Sequence, residues 1–202
     1  MANEAVATSG RRHHGNRHGR SEEARIAVME AADDLLVERG FAGLTIEGIA
    51  SAAGVAKQTI YRWWSSKTEI LFDAYILDAT EHFTVADHGD LAADLRDQLS
   101  QLSTFLTRPD SNAVFCALAG QAQHDPAVAA RFRTDVMDQQ RERDRQPFLR
   151  ARERGQLKST FDIEVAIDEI TAPIYYRTLL TKQDLPLTYT NRLVADLLDR
   201  LS

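Results

Sequence analysis

The chain has 202 residues, of which 44% are hydrophobic and 27% are charged, as in a globular protein of one large or two modest domains. No apolar run approaches the roughly 18 to 20 residues of a membrane-spanning helix, and the polar, basic N-terminus does not resemble a secretory signal. The single cysteine, Cys116, excludes an internal disulfide and a zinc site built from several cysteines, so we expect a cytoplasmic protein.

The net charge of −6 is distributed unevenly. Residues 1–67 contain nine Lys/Arg and eight Asp/Glu, whereas the remainder contains fifteen and twenty-two. The segment RRHHGNRHGR, residues 11–20, carries four arginines and no acid, and a basic end on an acidic body indicates a polyanionic partner. We expect residues 1–20 to be a disordered basic arm, because they offer nothing to bury. Such an arm either reaches a DNA minor groove or stays solvated and non-specific.

From Ser21 onward the apolar residues recur with a helical period. The first predicted helix starts at a Ser21 cap and stops at Gly40, where a left-handed residue is needed. Thr45 is the predicted N-cap of a short second helix, and Gly54 allows a tight turn before a third helix over about 57–64. The SKTE sequence that follows is a capping box opening a fourth helix.

Helical patterns continue to the end of the chain, and no alternating strand pattern exceeds four residues. The sequence therefore predicts an all-α protein with a three-helix head, residues 21–67, and a larger helical body, residues 68–202. The body helices are predicted at about 91–107, 111–123, 126–153, 163–181 and 188–201.

Two short helices joined by a glycine-containing turn form the helix-turn-helix that places a helix in the DNA major groove. Ile49 and Ile60 are expected to pack on the first helix, which leaves a polar side of the third helix facing outward. Glutamine can pair with adenine, lysine or arginine can pair with guanine, and tyrosine or hydroxyl groups can hold phosphates. The outward residues are Lys57, Gln58, Thr59, Tyr61, Arg62 and Trp63.

The two tryptophans are adjacent and cannot both face the core of a regular helix. Trp64 lies four residues after Ile60 and continues the buried stripe, so Trp63 is expected to point outward, where its N–H can reach a phosphate. The alternative is that both are core aromatics at a helix end.

GFAGLTIEGIASAAGVAKQTIYRWWSSKTEIL, residues 40–71, resembles the N-terminal DNA-binding domain of TetR-family transcriptional regulators over some thirty consecutive positions. RARERGQLKSTFD and APIYYRTLL resemble the C-terminal part of many members. The resemblance implies about nine helices and a DNA-binding regulator, not an enzyme, with no cofactor or metal. It further implies a homodimer on a palindromic operator, a small ligand that repositions the DNA-binding heads, and repression as the commoner mode.

The resemblance also assigns individual positions. Thr45 corresponds to a phosphate-contacting residue at the start of the second helix, and Tyr61 matches the phosphate-binding tyrosine. Lys67 matches the lysine that opens the fourth helix. Trp63 departs from the family, where His or Tyr is more usual, so its contact stays open. The base-facing end of the recognition helix comprises Lys57, Gln58 and Thr59.

The last two predicted helices carry apolar stripes that suit either an internal core or a subunit interface. The resemblance favours the interface, because family members generally dimerise through a four-helix bundle of these helices. The predicted interface comprises Ile167, Ile170, Ile174, Leu193, Val194, Leu197, Leu198 and Leu201.

A ligand pocket in the body is expected to have large apolar walls with a few hydroxyl and amide groups, which suits a small hydrophobic or aromatic effector. The alternative is an aromatic core without any ligand. The candidate walls are Phe72, Tyr75, Phe105, Phe115, Leu118, Gln121, Phe148, Tyr175 and Tyr176.

Two other functions compete with DNA binding: a helical metal-dependent enzyme and a protein-interaction module. The segment HFTVADHGD offers His82, Asp87, His88 and Asp90 as metal ligands, but no phosphate loop, HExxH motif or nucleophile elbow is present. The arginine and aromatic residues of the third helix favour DNA. The arginines between 141 and 154 alternate with acids and amides and are interpreted as a solvated helix face, with a second nucleic-acid surface as the alternative.

Overall fold

The computed structural model describes residues 15–200, which form nine helices without a strand. The first six helices are α1 Gly15–Gly43, α2 Ile46–Ala52, α3 Lys57–Tyr61, α4 Lys67–His82, α5 Leu91–Thr107 and α6 Pro109–Ala122. The helix α7 combines Pro126–Arg131, a π-helical segment Phe132–Met137 and Asp138–Glu153. The helix α8 combines Ile163–Tyr176 and a π-helical segment Arg177–Thr181, and α9 is Leu187–Asp199. None of these helices is long and apolar enough to cross a membrane.

Five of the helices begin where a short polar side chain accepts from their free N–H groups, namely α2, α4, α5, α7 and α8. Thr45 Oγ1 accepts from Gly48 N at 3.0 Å, as the sequence predicts for α2. The predicted capping box of α4 is present in part: Ser66 Oγ accepts from Glu69 N at 3.3 Å, but the Glu69 carboxylate accepts from Ser65 N at 2.6 Å and not from the N–H of the Ser66 cap.

The first helix differs from its prediction at both ends. It begins at Gly15, not at a Ser21 cap, because a formed helix elongates at one hydrogen bond per added residue. Residues 15–20 of the predicted arm are therefore helical, and residues 1–14 lie outside the described residues. At the other end, Gly40 takes a φ of 66° and kinks the chain, and the helical turn continues to Gly43. A positive φ at Gly40 is what the sequence predicts.

One continuous apolar core joins the head to the body. In the head it contains Ile49 and Ile60, and in the body Phe72, Phe105 and Leu118, all at most 1% exposed. The helix α1 packs along both α4 and α6, and α5 packs against α7 and α9. Because α4 belongs to the body and also contacts α1, it connects the two parts.

Acidic side chains meet where α1, α4 and α6 pack together. Arg108 lies 2.8 Å from Asp110 and 3.8 Å from Asp78, whereas Asp33 has a buried carboxylate oxygen without a hydrogen-bond partner. Burial raises the pKa of Asp33 to about 7; the charges of Asp78, Asp110 and Asp34 act in the same direction, and Arg108 opposes them. The folded protein therefore holds a proton on Asp33 in a pH range where the unfolded chain releases it.

This proton makes stability depend on pH. The folded pKa of Asp33 lies above the unfolded one, so the free energy of unfolding is expected to fall as pH rises from about 4 to about 7, by at most about 1.4 kcal/mol per pH unit. Asp33→Asn should remove this decrease and should be more stable than wild type above pH 7. Urea unfolding at several pH values measures the effect.

Asp144 contributes in the same direction, because burial raises its pKa to about 6. Because wild type and Asp33→Asn share the contribution of Asp144, the difference between their slopes reports on Asp33. Glu30, an exposed carboxylate of the same helix that is not among the charges acting on Asp33, is the matched control, and Glu30→Gln should leave the wild-type slope in place. Equal slopes for wild type and Asp33→Asn would show that Asp33 is not protonated in the fold.

Candidate nucleic-acid interface

The turn between α2 and α3 is fixed by backbone geometry and by two buried side chains. Gly54 has a φ of 66°, and Val55 N donates to Ala50 O at 3.0 Å across the turn. Ile49 of α2 and Ile60 of α3 are both fully buried. These contacts hold one side of α3 against α2 and leave the other side exposed.

The free side of α3 carries most of the residues predicted to contact DNA. Lys57, Gln58, Tyr61 and Arg62 are exposed, with 51% of Tyr61 accessible, whereas Thr59 is half-buried. Since Arg62 directly follows the last residue of α3, these side chains cover both ends of the helix. Hydrogen-bonding and cationic groups are thus exposed together on one side of α3.

Thr45 lies at the start of α2 and is also exposed. Its hydroxyl oxygen accepts from Gly48 N, which leaves the hydroxyl proton available to an acceptor such as a phosphate oxygen. Capping α2 and contacting DNA are therefore compatible roles for this side chain.

Lys57 has an acidic partner that the sequence reasoning missed. Its ammonium donates to the carboxylate of Glu47 on α2 and lies 5.6 Å from the centroid of the Tyr61 ring. The hydrogen bond lowers the pKa of Glu47 and raises that of Lys57. Glu47 thus neutralises one positive charge on this surface and directs the lysine along α3.

Lys67 does not point freely toward solvent. Its ammonium donates to Phe41 O at 2.6 Å and to Leu44 O at 2.8 Å, and it lies 4.1 Å from the centroid of the Phe41 ring. Burial lowers its pKa. Two of its three N–H bonds thus hold the α1–α2 connection onto the start of α4, and one remains for a phosphate.

The tryptophan pair lies just after α3, because the helix ends at Tyr61 and not near residue 64 as predicted. Trp64 is buried, as expected. Trp63 is half-buried, not fully outward, and packs edge to face on Trp64 at 5.5 Å between ring centroids. The turn rotates both rings toward the core, so only part of Trp63 is open to a ligand.

The Trp64 indole belongs to a cluster centred on Asp73 of α4. Its Nε1 donates to Asp73 Oδ2 at 2.8 Å, and Arg25 of α1 donates to the same oxygen at 3.3 Å. The other oxygen accepts from Arg131 of α7 at 3.0 Å. Arg131 also lies over the Phe72 ring, 4.5 Å from its centroid. One carboxylate thereby joins the end of the recognition helix to three long helices.

The predicted ligand pocket is largely closed by its own side chains. Aromatic rings pack on one another there, with centroids 5.4 Å apart for Tyr75 and Phe105 and 5.7 Å apart for Phe115 and Tyr175. Tyr176 is 56% exposed and faces away from this cluster, which corrects its assignment as a pocket residue. Gln121 is half-buried. The residues that form solid core, at most 1% exposed, are Phe72, Phe105, Phe115, Leu118 and Phe148.

Most of the predicted dimer interface is also internal. A periodic apolar stripe shows that a helix face is buried but not what buries it, and here the other helices of the same chain do so. Leu193 and Leu198 are half-buried and stay accessible, and Leu201 lies outside the described residues. The side chains at most 3% exposed, and so wrongly assigned to the interface, are Ile167, Ile170, Ile174, Val194 and Leu197.

The four side chains considered as metal ligands have separate partners. His82 Nε2 lies 2.9 Å from Gln101 O, His88 lies 3.5 Å from Asp97, Asp87 accepts from Arg154, and Asp90 caps α5. Among the side chains that the structure describes, residues 19–200, no group of three or more His, Cys, Asp or Glu is arranged to hold a metal. The arrangement is that of a loop tied to its neighbours.

The sequence matches two family descriptions that together cover most of the chain. Residues 28–74 match the description of bacterial regulatory proteins of the tetR family. This range includes α2, α3 and Asp73. Residues 85–197 match a tetracyclin repressor-like C-terminal domain.

Individual relatives agree with this assignment. An uncharacterized HTH-type transcriptional regulator of Bacillus subtilis, YdeS, is 35% identical over 175 residues, 87% of this chain and 88% of its own. The DNA-binding transcriptional repressor TetR of Mycobacteroides abscessus is 27% identical over 89% of this chain and 94% of its own. The crystal structure of the TetR family transcription regulator SCO0332 is 32% identical with a TM-score of 0.72, covering 89% of this chain and 99% of that one.

The Asp73 cluster predicts energetic coupling between the head and α4. Asp73→Ala should lower the free energy of unfolding by about 1–3 kcal/mol, since it leaves three donors without their acceptor. Trp64→Phe keeps a ring but removes one donor and should have a smaller effect. Urea unfolding followed by far-ultraviolet circular dichroism provides both values.

The double variant, Asp73→Ala with Trp64→Phe, tests whether these two side chains interact. Its destabilisation should be smaller than the sum of the single effects by at least about 0.5 kcal/mol. Asp138→Ala, on the exposed side of α7, is the control and should combine additively with Trp64→Phe. Additive effects for Asp73 and Trp64 would contradict the coupling.

Proposed function

The chain belongs to the TetR family of DNA-binding transcriptional regulators, and from that premise we propose that it is a ligand-responsive repressor binding a palindromic operator as a homodimer. The observation that carries the proposal is the exposed side of α3, where Lys57, Gln58, Tyr61 and Arg62 face solvent while Ile60 is fully buried. A relative named as a transcriptional repressor supports repression as the mode of action. A chromosomal target implies a cytoplasmic location.

The side chains of α3 divide into base-reading and phosphate-holding groups. Gln58 is suited to adenine and Lys57 to guanine, since both are exposed near the N-terminal end that enters the groove first, and the Thr59 methyl suits thymine. Tyr61 and Arg62 at the other end, together with the hydroxyl of Thr45, are suited to phosphates. Lys67 and the accessible part of Trp63 complete the phosphate side.

The dimer forms through apolar side chains of α8 and α9 that a single chain leaves uncovered. Val165 is 52%, Tyr176 is 56% and Leu180 is 74% exposed along α8, and Leu187 is 53% exposed at the start of α9. Large exposed apolar groups concentrated on two neighbouring helices are typical of a subunit interface. The half-buried Leu193 and Leu198 extend this surface.

The base-reading role of Gln58 can be tested with duplexes selected from a random pool. Wild type should select a palindrome, and Gln58→Ala should lose about 1–3 kcal/mol of discrimination at one position in each half-site, because the bidentate amide contact is removed. Arg62→Gln should instead weaken binding to all duplexes and lower the salt slope by about one unit. A uniform loss of affinity in Gln58→Ala would refute base reading.

The interface predicts that a charge at its centre prevents dimerisation. Leu180→Asp should sediment as a monomer at micromolar concentration where wild type is a dimer, because the carboxylate would be desolvated in an apolar surface. Val37→Asp, at a 49% exposed apolar position on α1, is the matched control and should remain dimeric. A dimeric Leu180→Asp would move the interface away from this face.

A further inference from the structure

A polar pocket of about 270 Å³ opens beside the aromatic cluster, between α4 and α7. Its volume is at the lower end for small-molecule sites, so it suits a ligand of few atoms. The sequence predicts apolar walls for an effector, but five of the seven lining residues carry a hydroxyl, amide or charged group. The lining residues are Tyr75, Ile76, Ala79, Thr80, Asp135, Gln139 and Arg143.

Arg143 is the positively charged residue of this lining. Its Nε and Nη2 donate to Gln140 Oε1 at 3.1 and 2.7 Å, and its guanidinium lies 4.6 Å from the centroid of the Phe83 ring. The adjacent carboxylate of Asp144 accepts from the amides of Gln98 and Gln140. Burial lowers the pKa of Arg143, the nearby charge of Asp144 opposes this shift, and no carboxylate lies within ion-pair distance of the guanidinium among the residues that the structure describes.

Arg152 of the same helix is half-buried and donates to the Phe161 carbonyl, whereas four other arginines of α7 each have a carboxylate partner. These arginines are Arg131, Arg141, Arg145 and Arg150. A half-buried guanidinium that contacts no carboxylate retains N–H donors that no protein carboxylate satisfies, and its planar fork matches a carboxylate. The unpaired charge therefore indicates a negatively charged occupant.

Two tyrosines add hydroxyl donors close to Arg143. Burial raises the pKa of Tyr75 and of Tyr175, so both remain protonated, and both interact electrostatically with the guanidinium. Asp135 also lines the pocket, but its carboxylate accepts from Arg131 Nε at 3.0 Å and is thereby neutralised. The Phe83 ring packs on the Arg143 guanidinium and lies outside the lining of this pocket.

We propose that this pocket binds a small aromatic carboxylate, with Arg143 as the carboxylate-binding residue and the hydroxyl of Tyr75 as a further donor. The inference rests on the proposed ligand-responsive function and names the chemical class of the effector. The pocket lies next to the head's attachment, because Asp135 pairs with Arg131 and Arg131 donates to Asp73. Occupation of the pocket thus acts on the same carboxylate that holds Trp64.

Binding of benzoate and phenylacetate to the full-length dimer tests the proposal, with benzamide and phenylacetamide as neutral counterparts. Calorimetry should show both carboxylates binding wild type at least about tenfold more tightly than the matched amides, because a charge-assisted fork is lost in the amides. Arg143→Gln should lose about tenfold or more in carboxylate affinity, and Arg143→Lys should lie between the two. Arg133→Gln, at an exposed position of α7, is the matched control and should bind as wild type does.

Several outcomes would overturn the proposal. These are equal affinity for acids and amides, unchanged affinity in Arg143→Gln, equally tight binding of inorganic phosphate, and no binding of either carboxylate at about 10 mM, a concentration at which even very weak complexes form. Should Arg143→Gln fail to fold, Arg143→Lys and Tyr75→Phe carry the same comparison. Selection of a palindromic duplex by the unliganded wild type is measured separately. A protein that selects DNA but ignores carboxylates disproves this inference alone, whereas one that selects no DNA disproves the proposed function.

Discussion

The carboxylate of Asp73 is the contact on which the position of the recognition helix depends. With only five residues, α3 is too short to be stable or to hold an orientation by its own hydrogen bonds. Ile60 fixes its inner side, and Trp64 fixes its C-terminal end through the indole N–H bound to Asp73. Because Arg25 and Arg131 bind the same carboxylate, the position of the C-terminal end of α3 depends on α1 and α7 as well as on its nearest neighbours.

The helix α4 connects this contact with the helices of the body. Lys67 at its start binds the carbonyls of the α1–α2 connection, Asp73 holds Trp64, Tyr75 lines the polar pocket, and Asp78 faces Arg108 at the junction with α6. These four positions lie within three turns of one helix. A shift of α4 by an ångström would therefore change the head's attachment and the pocket together, which is how a packed core transmits a small displacement.

The sequence was sufficient for features set by neighbours in the chain and insufficient for features set by partners far along it. The caps at Thr45 and Ser66 and the positive φ of Gly40 were predictable, because each depends on residues within one turn. The contact between Asp73 and Arg131 spans 58 residues and has no local signal. The stripe containing Ile167 and Ile170 was correctly identified as buried, but its partner was not, since periodicity is the same for a core and for an interface.

Arg143 is a second residue whose environment the sequence did not predict, because that environment is formed by distant parts of the chain. In the sequence it is one arginine among several that alternate with acids and amides, and such a pattern predicts a solvated face. In the fold it is half-buried against Phe83, where a charge without an ion pair is disfavoured by desolvation that cation–π and amide contacts only partly offset. An apolar side chain of similar size would avoid that desolvation, so the arginine destabilises the empty pocket relative to a filled one. An anion entering the pocket would therefore satisfy the guanidinium beside α4, and its binding energy would favour whichever position of α4 best accommodates it.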